Sequence, residues 1–168
     1  MSNNRRTFIK TGILSVAGTA LFPKLLFAAP KAHELVGLQL YSVRDDMQKD
    51  PKGTLQQLSK MGYVYVEHAN YSNRKFYGYS PAEFKKILDD LGLKMRSGHT
   101  VMGKNHWDES KNDFTDTWKH TVEDAAIVGQ EYVISPWLDE NLRKNYDDLV
   151  RFLELFNKSG ELCKKSGM

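Results

Sequence analysis

Four times along this chain a short β-prone run gives way to an amphipathic stretch that closes on a glycine, and this recurrence constrains the fold more than any other feature. The closures read Met61-Gly62-Tyr63, Leu91-Gly92-Leu93, Val128-Gly129-Gln130 and Ser166-Gly167-Met168. Glycine at such a point permits the left-handed turn that ends a helix and returns the chain to a sheet. Successive closures lie 30, 37 and 38 residues apart, the length of one strand-plus-helix unit. Alternation of this kind predicts α/β architecture with parallel strands.

The first strand is read over Val36 to Tyr41, followed by a helix that opens at Asp50-Pro51 with Leu55, Leu58 and Met61 on one face. An Asp cap with Pro at the first helical position is a start signal, because proline's missing N–H would be unpaired there anyway. The second strand, Tyr63 to Glu67, precedes a helix with the capping box Ser80-Pro81-Ala82-Glu83 and the stripe Phe84, Ile87, Leu88, Leu91. Leu93 to Ser97 forms the third strand, with a helix carrying Phe114, Trp118, Val122 and Ala125. The fourth, Tyr132 to Ser135, leads through Pro136-Trp137 to a helix with Leu149, Phe152, Leu153 and Phe156.

Such units build either an eight-fold barrel or an open doubly wound sheet. No glycine occurs in Tyr41 to Asp46 after the first strand, so the dinucleotide fingerprint is absent. Polar or aromatic residues recur at strand C-termini, the active face of a barrel. The fold class is therefore read as a TIM (β/α)8-type barrel of which residues 33–168 carry the first four units. A barrel needs about 250 residues, and four open strands leave an unpaired edge. The chain is thus expected to be an N-terminal half, inactive alone.

The N-terminus reads as an address. Asn4-Arg5-Arg6-Thr7-Phe8-Ile9-Lys10 resembles a twin-arginine translocation signal, followed by an uncharged stretch from Thr11 to Phe22, Pro23-Lys24 and Ala28-Ala29-Pro30. Residues 1–30 are accordingly assigned to a twin-arginine signal peptide, cleaved between Ala28 and Ala32, with periplasmic or otherwise exported localisation and the translocation machinery as a partner. Lys24 interrupts the apolar run, which argues against a stable membrane span.

The formal charge of +3 comes from this leader, which holds Arg5, Arg6, Lys10 and Lys24 and no acid; the remainder has 20 basic and 21 acidic side chains. That balance removes the electrostatic basis for nucleic-acid binding. The single cysteine, Cys163, excludes an intramolecular disulfide and reads as a small buried hydrophobe.

The strings Gly37-Leu38-Gln39-Leu40-Tyr41-Ser42-Val43-Arg44, Gly62-Tyr63-Val64-Tyr65-Val66-Glu67, Ser97-Gly98-His99 and Val133-Ile134-Ser135-Pro136-Trp137-Leu138 occur in order at strand ends. From Val36 onward the chain resembles the sugar phosphate isomerase/epimerase family of xylose-isomerase-like TIM barrels. The resemblance implies a divalent-metal-dependent aldose-ketose isomerase or epimerase acting on a small-molecule carbohydrate. It also implies that the metal ligands, a Glu, an Asp, a His and a Glu, sit on later strands and outside this chain. Alternatives on the same scaffold are a non-catalytic carbohydrate-binding barrel and a lyase or hydrolase acting on an oxidised sugar.

What this half supplies is substrate contact. Gln39 and Tyr41 alternate with Leu38 and Leu40, so they face the barrel mouth, unless they only fill barrel layers. Glu67 ends the second strand and His99 follows the third, at the height of the sugar hydroxyls; Glu67 has Arg44 or Arg96 as an alternative partner, and His99 the role of a loop histidine. Trp137 offers a flat face to a sugar ring or plugs the core. His68 should point away from Glu67. His33, His106 and His120 rank lower, and no histidine pair has zinc-site spacing. The polar block from Asn105 to Asp116 reads as a solvated connector, with a lid over the mouth as the alternative.

Overall fold

The computed structural model describes residues 37–138 and 140–168. The leader with its arginine pair, His33 and Val36 lie outside the described residues.

Strands β1 (Gly37–Gln39), β2 (Tyr65–His68), β5 (Lys94–His99) and β8 (Tyr132–Ile134) form one sheet, with every pairing parallel. Spatial order follows chain order, without the reversal that defines a doubly wound sheet. Between β1 and β2 run helices α1 (Arg44–Lys49) and α2 (Pro51–Lys60); α3 (Pro81–Asp90) leads into β5, α4 (Asp116–Val128) into β8, and α5 (Tyr146–Lys165) follows β8. The crossovers also carry two small antiparallel hairpins, β3 (Tyr71–Ser72) with β4 (Lys75–Phe76), and β6 (Trp107–Asp108) with β7 (Asp113–Phe114).

The helix starts follow their side-chain chemistry. Asp50 accepts the Gly53 N–H ahead of Pro51, and Ser80 and Glu83 close both halves of the capping box. The glycines that end the units, Gly62, Gly92, Gly129 and Gly167, have φ between 67° and 92°, as the turn back into the sheet requires.

Three expectations need correction. The first strand stops at Gln39, where the side-chain amide accepts the Tyr41 N–H and starts a 3-10 turn over Leu40–Val43. Helix α1 follows at once, too short to show periodicity, with Asp45 and Asp46 in its first turn and Met47 buried. Phe114 lies in β7 rather than in the helix, and Leu153 of α5 faces outward, 45% exposed.

Along β2, Val66 and His68 are buried while Tyr65 and Glu67 occupy the other face. Val66 joins Leu40, Met47, Leu55, Phe84, Leu88 and Met95 in a core between the sheet and the first helices. A second core unites Met102, Phe114, Trp118, Val122 and Phe152, and the Trp118 indole N–H donates to Ser159 Oγ at 2.9 Å, tying α4 to α5. The block from Asn105 to Asp116 is anchored to this core through Trp107 and Phe114, while the stretch from Glu109 to Asp113 between them is exposed, as a solvated connector would be. Phe114 is buried, the Trp107 and Phe114 rings meet edge to face at 5.1 Å, and the Lys158 ammonium sits 4.1 Å above the Trp107 ring.

Candidate functional site

The sheet register sets Gln39 beside Glu67 and Glu67 beside Ser97. Parallel neighbours in register share a face, so these three side chains line one row, and His99, two residues past Ser97, rises from the same face at the C-terminal end of β5. One irregularity makes this possible. Tyr65 pairs with Lys94 but Glu67 pairs with Ser97, so β5 holds one more residue than β2 over that interval. Without this bulge Arg96 would stand beside Glu67 and His99 would point to the opposite face.

The result is a hydrogen-bonded chain across three strands. The Tyr41 backbone N–H donates to Gln39 Oε1 at 2.8 Å, and Gln39 Nε2 lies 3.1 Å from His99 Nδ1. On the other side of the ring His99 Nε2 is 3.0 Å from Glu67 Oε1, while the Ser97 hydroxyl donates to Glu67 Oε2. Both members of the pair keep contact with solvent, at 28% side-chain exposure for His99 and 22% for Glu67. A carboxylate and an imidazole so placed can accept, donate or hold a proton on a hydroxylated ligand.

Of the five residues singled out in the sequence, Gln39, Glu67 and His99 meet here. Tyr41 does not join them through its side chain; the turn begun by Gln39 leaves it 58% exposed, with the Arg44 guanidinium 4.8 Å from its ring centroid. Trp137 lies beyond β8, 56% exposed, its carbonyl accepting the Ser135 hydroxyl. Neither arginine alternative for Glu67 is realised. Arg96 forms a two-pronged pair with Glu131, at 2.7 and 2.5 Å, and Arg44 lies against Tyr41. Ser97 carried no assigned role in the sequence, although it stands two positions before His99 and therefore on its face.

His68 points away from Glu67, as the alternation requires, and is 1% exposed. Its ring lies on the bare backbone of Gly98 and packs edge-on against Phe76 at 4.9 Å. Its Nδ1 has no hydrogen-bond partner. Burial, and secondarily the neighbouring His99, hold this imidazole down at about pH 3. The β3–β4 hairpin that covers it is clamped to α4. Tyr71 Oη donates to the fully buried Asp124 at 2.6 Å, and Arg74 bridges Asp124 and Glu123 at 2.6 and 2.7 Å. Burial and the Asp124 bond push the Tyr71 hydroxyl well above the usual phenol range.

A cavity of about 440 Å³ lies at the opposite ends of the strands, lined by Tyr65, Lys85, Asp89, Lys94, Arg96 and Glu131. Four of its charged groups are paired internally, Lys85 with Asp89 and Arg96 with Glu131. Among the described residues no group of three or more His, Cys, Asp or Glu is arranged to hold a metal ion. Glu67 and His99 are adjacent, but their facing atoms are joined to each other. Among the same residues no helix is long and apolar enough to cross a membrane.

The fold is similar to two crystal structures of sugar phosphate isomerase/epimerases from Parabacteroides distasonis. One matches with a TM-score of 0.65 and 27% identity over 79% of this chain and 48% of that one. The other matches with a TM-score of 0.63 and 25% identity over 79% of this chain and 51% of that one. The chain thus spans about half the length of the structures it matches. No family model matches the chain, and no curated protein does. The similarity supports the general family expected from the strand-end motifs.

Proposed function

We propose that this chain supplies the substrate-binding wall of a sugar isomerase or epimerase. The observation that carries the reading is the Glu67–His99 pair, set at the C-terminal ends of parallel strands in a fold whose structural neighbours are sugar phosphate isomerase/epimerases. Aldose–ketose isomerisation moves hydrogen between neighbouring carbons and epimerisation removes and returns it at one carbon, and such hydroxylated substrates need rigid acceptors and donors matched to their hydroxyls. Glu67, held from behind by His99, provides an acceptor for them, and the exposed rings of Tyr41 and Trp137, which stand apart from that pair, offer flat apolar surfaces.

A divalent ion would stabilise developing oxyanion charge in this chemistry. The described residues do not fit its binding site, because Glu67 and His99 are bonded to each other and no third ligand is grouped with them. The role proposed for this wall is therefore binding and orientation, with the barrel completed and the ion held elsewhere in the protein. Export follows from the arginine pair at Arg5 and Arg6, and a carbohydrate outside the cytoplasm is more naturally free or modified than phosphorylated.

The test is NMR observation of the protein with its barrel complete, not of this wall alone, with a panel of aldoses, ketoses and their oxidised derivatives and with divalent salts added. Interconversion of isomers or epimers that falls at least tenfold in Glu67→Gln supports the proposal. Saturable sugar binding without any conversion would overturn it in favour of a binding barrel.

A further inference from the structure

The polar chain across the sheet has a direction, set at its far end by the backbone. Gln39 Oε1 accepts the Tyr41 N–H at 2.8 Å, so the other end of that amide, the Nε2 group, is the one turned toward His99. An amide nitrogen only donates. His99 Nδ1, 3.1 Å away, must therefore be the acceptor and carry no hydrogen. A neutral imidazole without hydrogen at Nδ1 carries it at Nε2, and that atom faces Glu67 Oε1 at 3.0 Å. The opposite tautomer would set two N–H groups face to face at Gln39 and two lone pairs face to face at Glu67.

We infer that Gln39 is a positioning residue, which fixes His99 in its Nε2–H tautomer and through it aims the Glu67 carboxylate. Both ring nitrogens of His99 are then engaged within the protein, one accepting and one donating. Each Glu67 oxygen accepts one internal donor, His99 on one side and Ser97 on the other, and retains a lone pair for a ligand. Glu67 is thus the group that meets a sugar hydroxyl, and His99 stands behind it, as second-sphere partners stand behind the groups they orient. The inference deepens the carbohydrate reading, but its decisive test needs no sugar and stands or falls separately from that reading.

The experiment is long-range 1H–15N correlation NMR of the 15N-labelled protein. In the unaltered protein His99 should show a bare Nδ1 and a protonated Nε2, with a scalar coupling across the hydrogen bond between Gln39 Nε2 and His99 Nδ1. Gln39→Glu should invert the pattern at Nδ1. One carboxylate oxygen still accepts the Tyr41 N–H, and the other can face Nδ1 only if that nitrogen brings a proton. The signals of the buried His68 ring report whether the variant has kept its fold. A protonated Nδ1 in the unaltered protein would overturn the inference, and so would a folded Gln39→Glu variant with Nδ1 still bare.

Discussion

Acidification from pH 7 to pH 5 should weaken this fold by about 2 kcal/mol through one buried ring, His68. The imidazole is 1% exposed, flanked by Phe76, Tyr71 and the Gly98 backbone, with Nδ1 unpartnered. Burial is the main reason, and proximity to His99 the second, that it resists a proton down to about pH 3, against 6.5 for an unhindered histidine. In the unfolded chain the ring takes up its proton below pH 6.5; in the folded protein it does not until pH 3. The contribution is therefore complete above pH 6.5 and lost progressively toward pH 3, at about 1.4 kcal/mol per pH unit and about 5 kcal/mol over the whole window. Carboxylates titrate mostly below pH 5, so the interval from pH 7 to pH 5 isolates histidine. Burial also lowers His106, but that residue is common to any His68 variant. Urea unfolding followed by tryptophan fluorescence, at half-unit steps of pH, measures the effect. His68→Gln, which cannot titrate, should have a pH dependence flatter by about 2 kcal/mol over this interval. Parallel stability curves for the two proteins would refute the argument.

Three further outcomes follow from the same geometry. Gly98→Ala places a Cβ 1.8 Å from His68 Cδ2 and 1.9 Å from Nε2, and with the ring enclosed the overlap should cost about 3 kcal/mol in urea unfolding; a near-neutral variant would show that the ring can move aside. Tyr71→Phe keeps the volume but removes the hydroxyl that donates to buried Asp124, so stability should fall by about 2 kcal/mol in the same assay. If Arg5 and Arg6 form a twin-arginine signal, as proposed, replacing both with lysine should retain the protein in the cytoplasm on cell fractionation, because such a signal is a receptor-read address and not merely positive charge; unchanged export would remove the twin-arginine assignment.

Much of the architecture was legible because it rests on local chemistry. Asp50-Pro51 and Ser80-Pro81-Ala82-Glu83 cap helices whatever surrounds them, and the glycines at 62, 92, 129 and 167 all adopt the positive φ expected of them. The early end of the first strand was less accessible, since it depends on the Gln39 amide folding back onto the Tyr41 N–H. A polar residue in a β-prone run gives no sign of that choice. The polar composition of the hairpin over 107–114 points correctly to an exposed tip from Glu109 to Asp113, but gives no sign that Trp107 and Phe114 anchor it to the second core.

In the site, the sequence by itself established that Glu67 and His99 stand at strand ends and that His68 faces away, because strand alternation has a period of two residues and needs no partner. It could not establish which charged group Glu67 meets. Arg44 and Arg96 were as plausible partners in the text of the chain as a sugar hydroxyl. That was decided by the single extra residue of β5 between Lys94 and Ser97, which turns Arg96 away to Glu131 and brings Ser97 and His99 onto Glu67. A bulge is a property of two strands in register, and only their pairing in the folded sheet determines which side chains share a face.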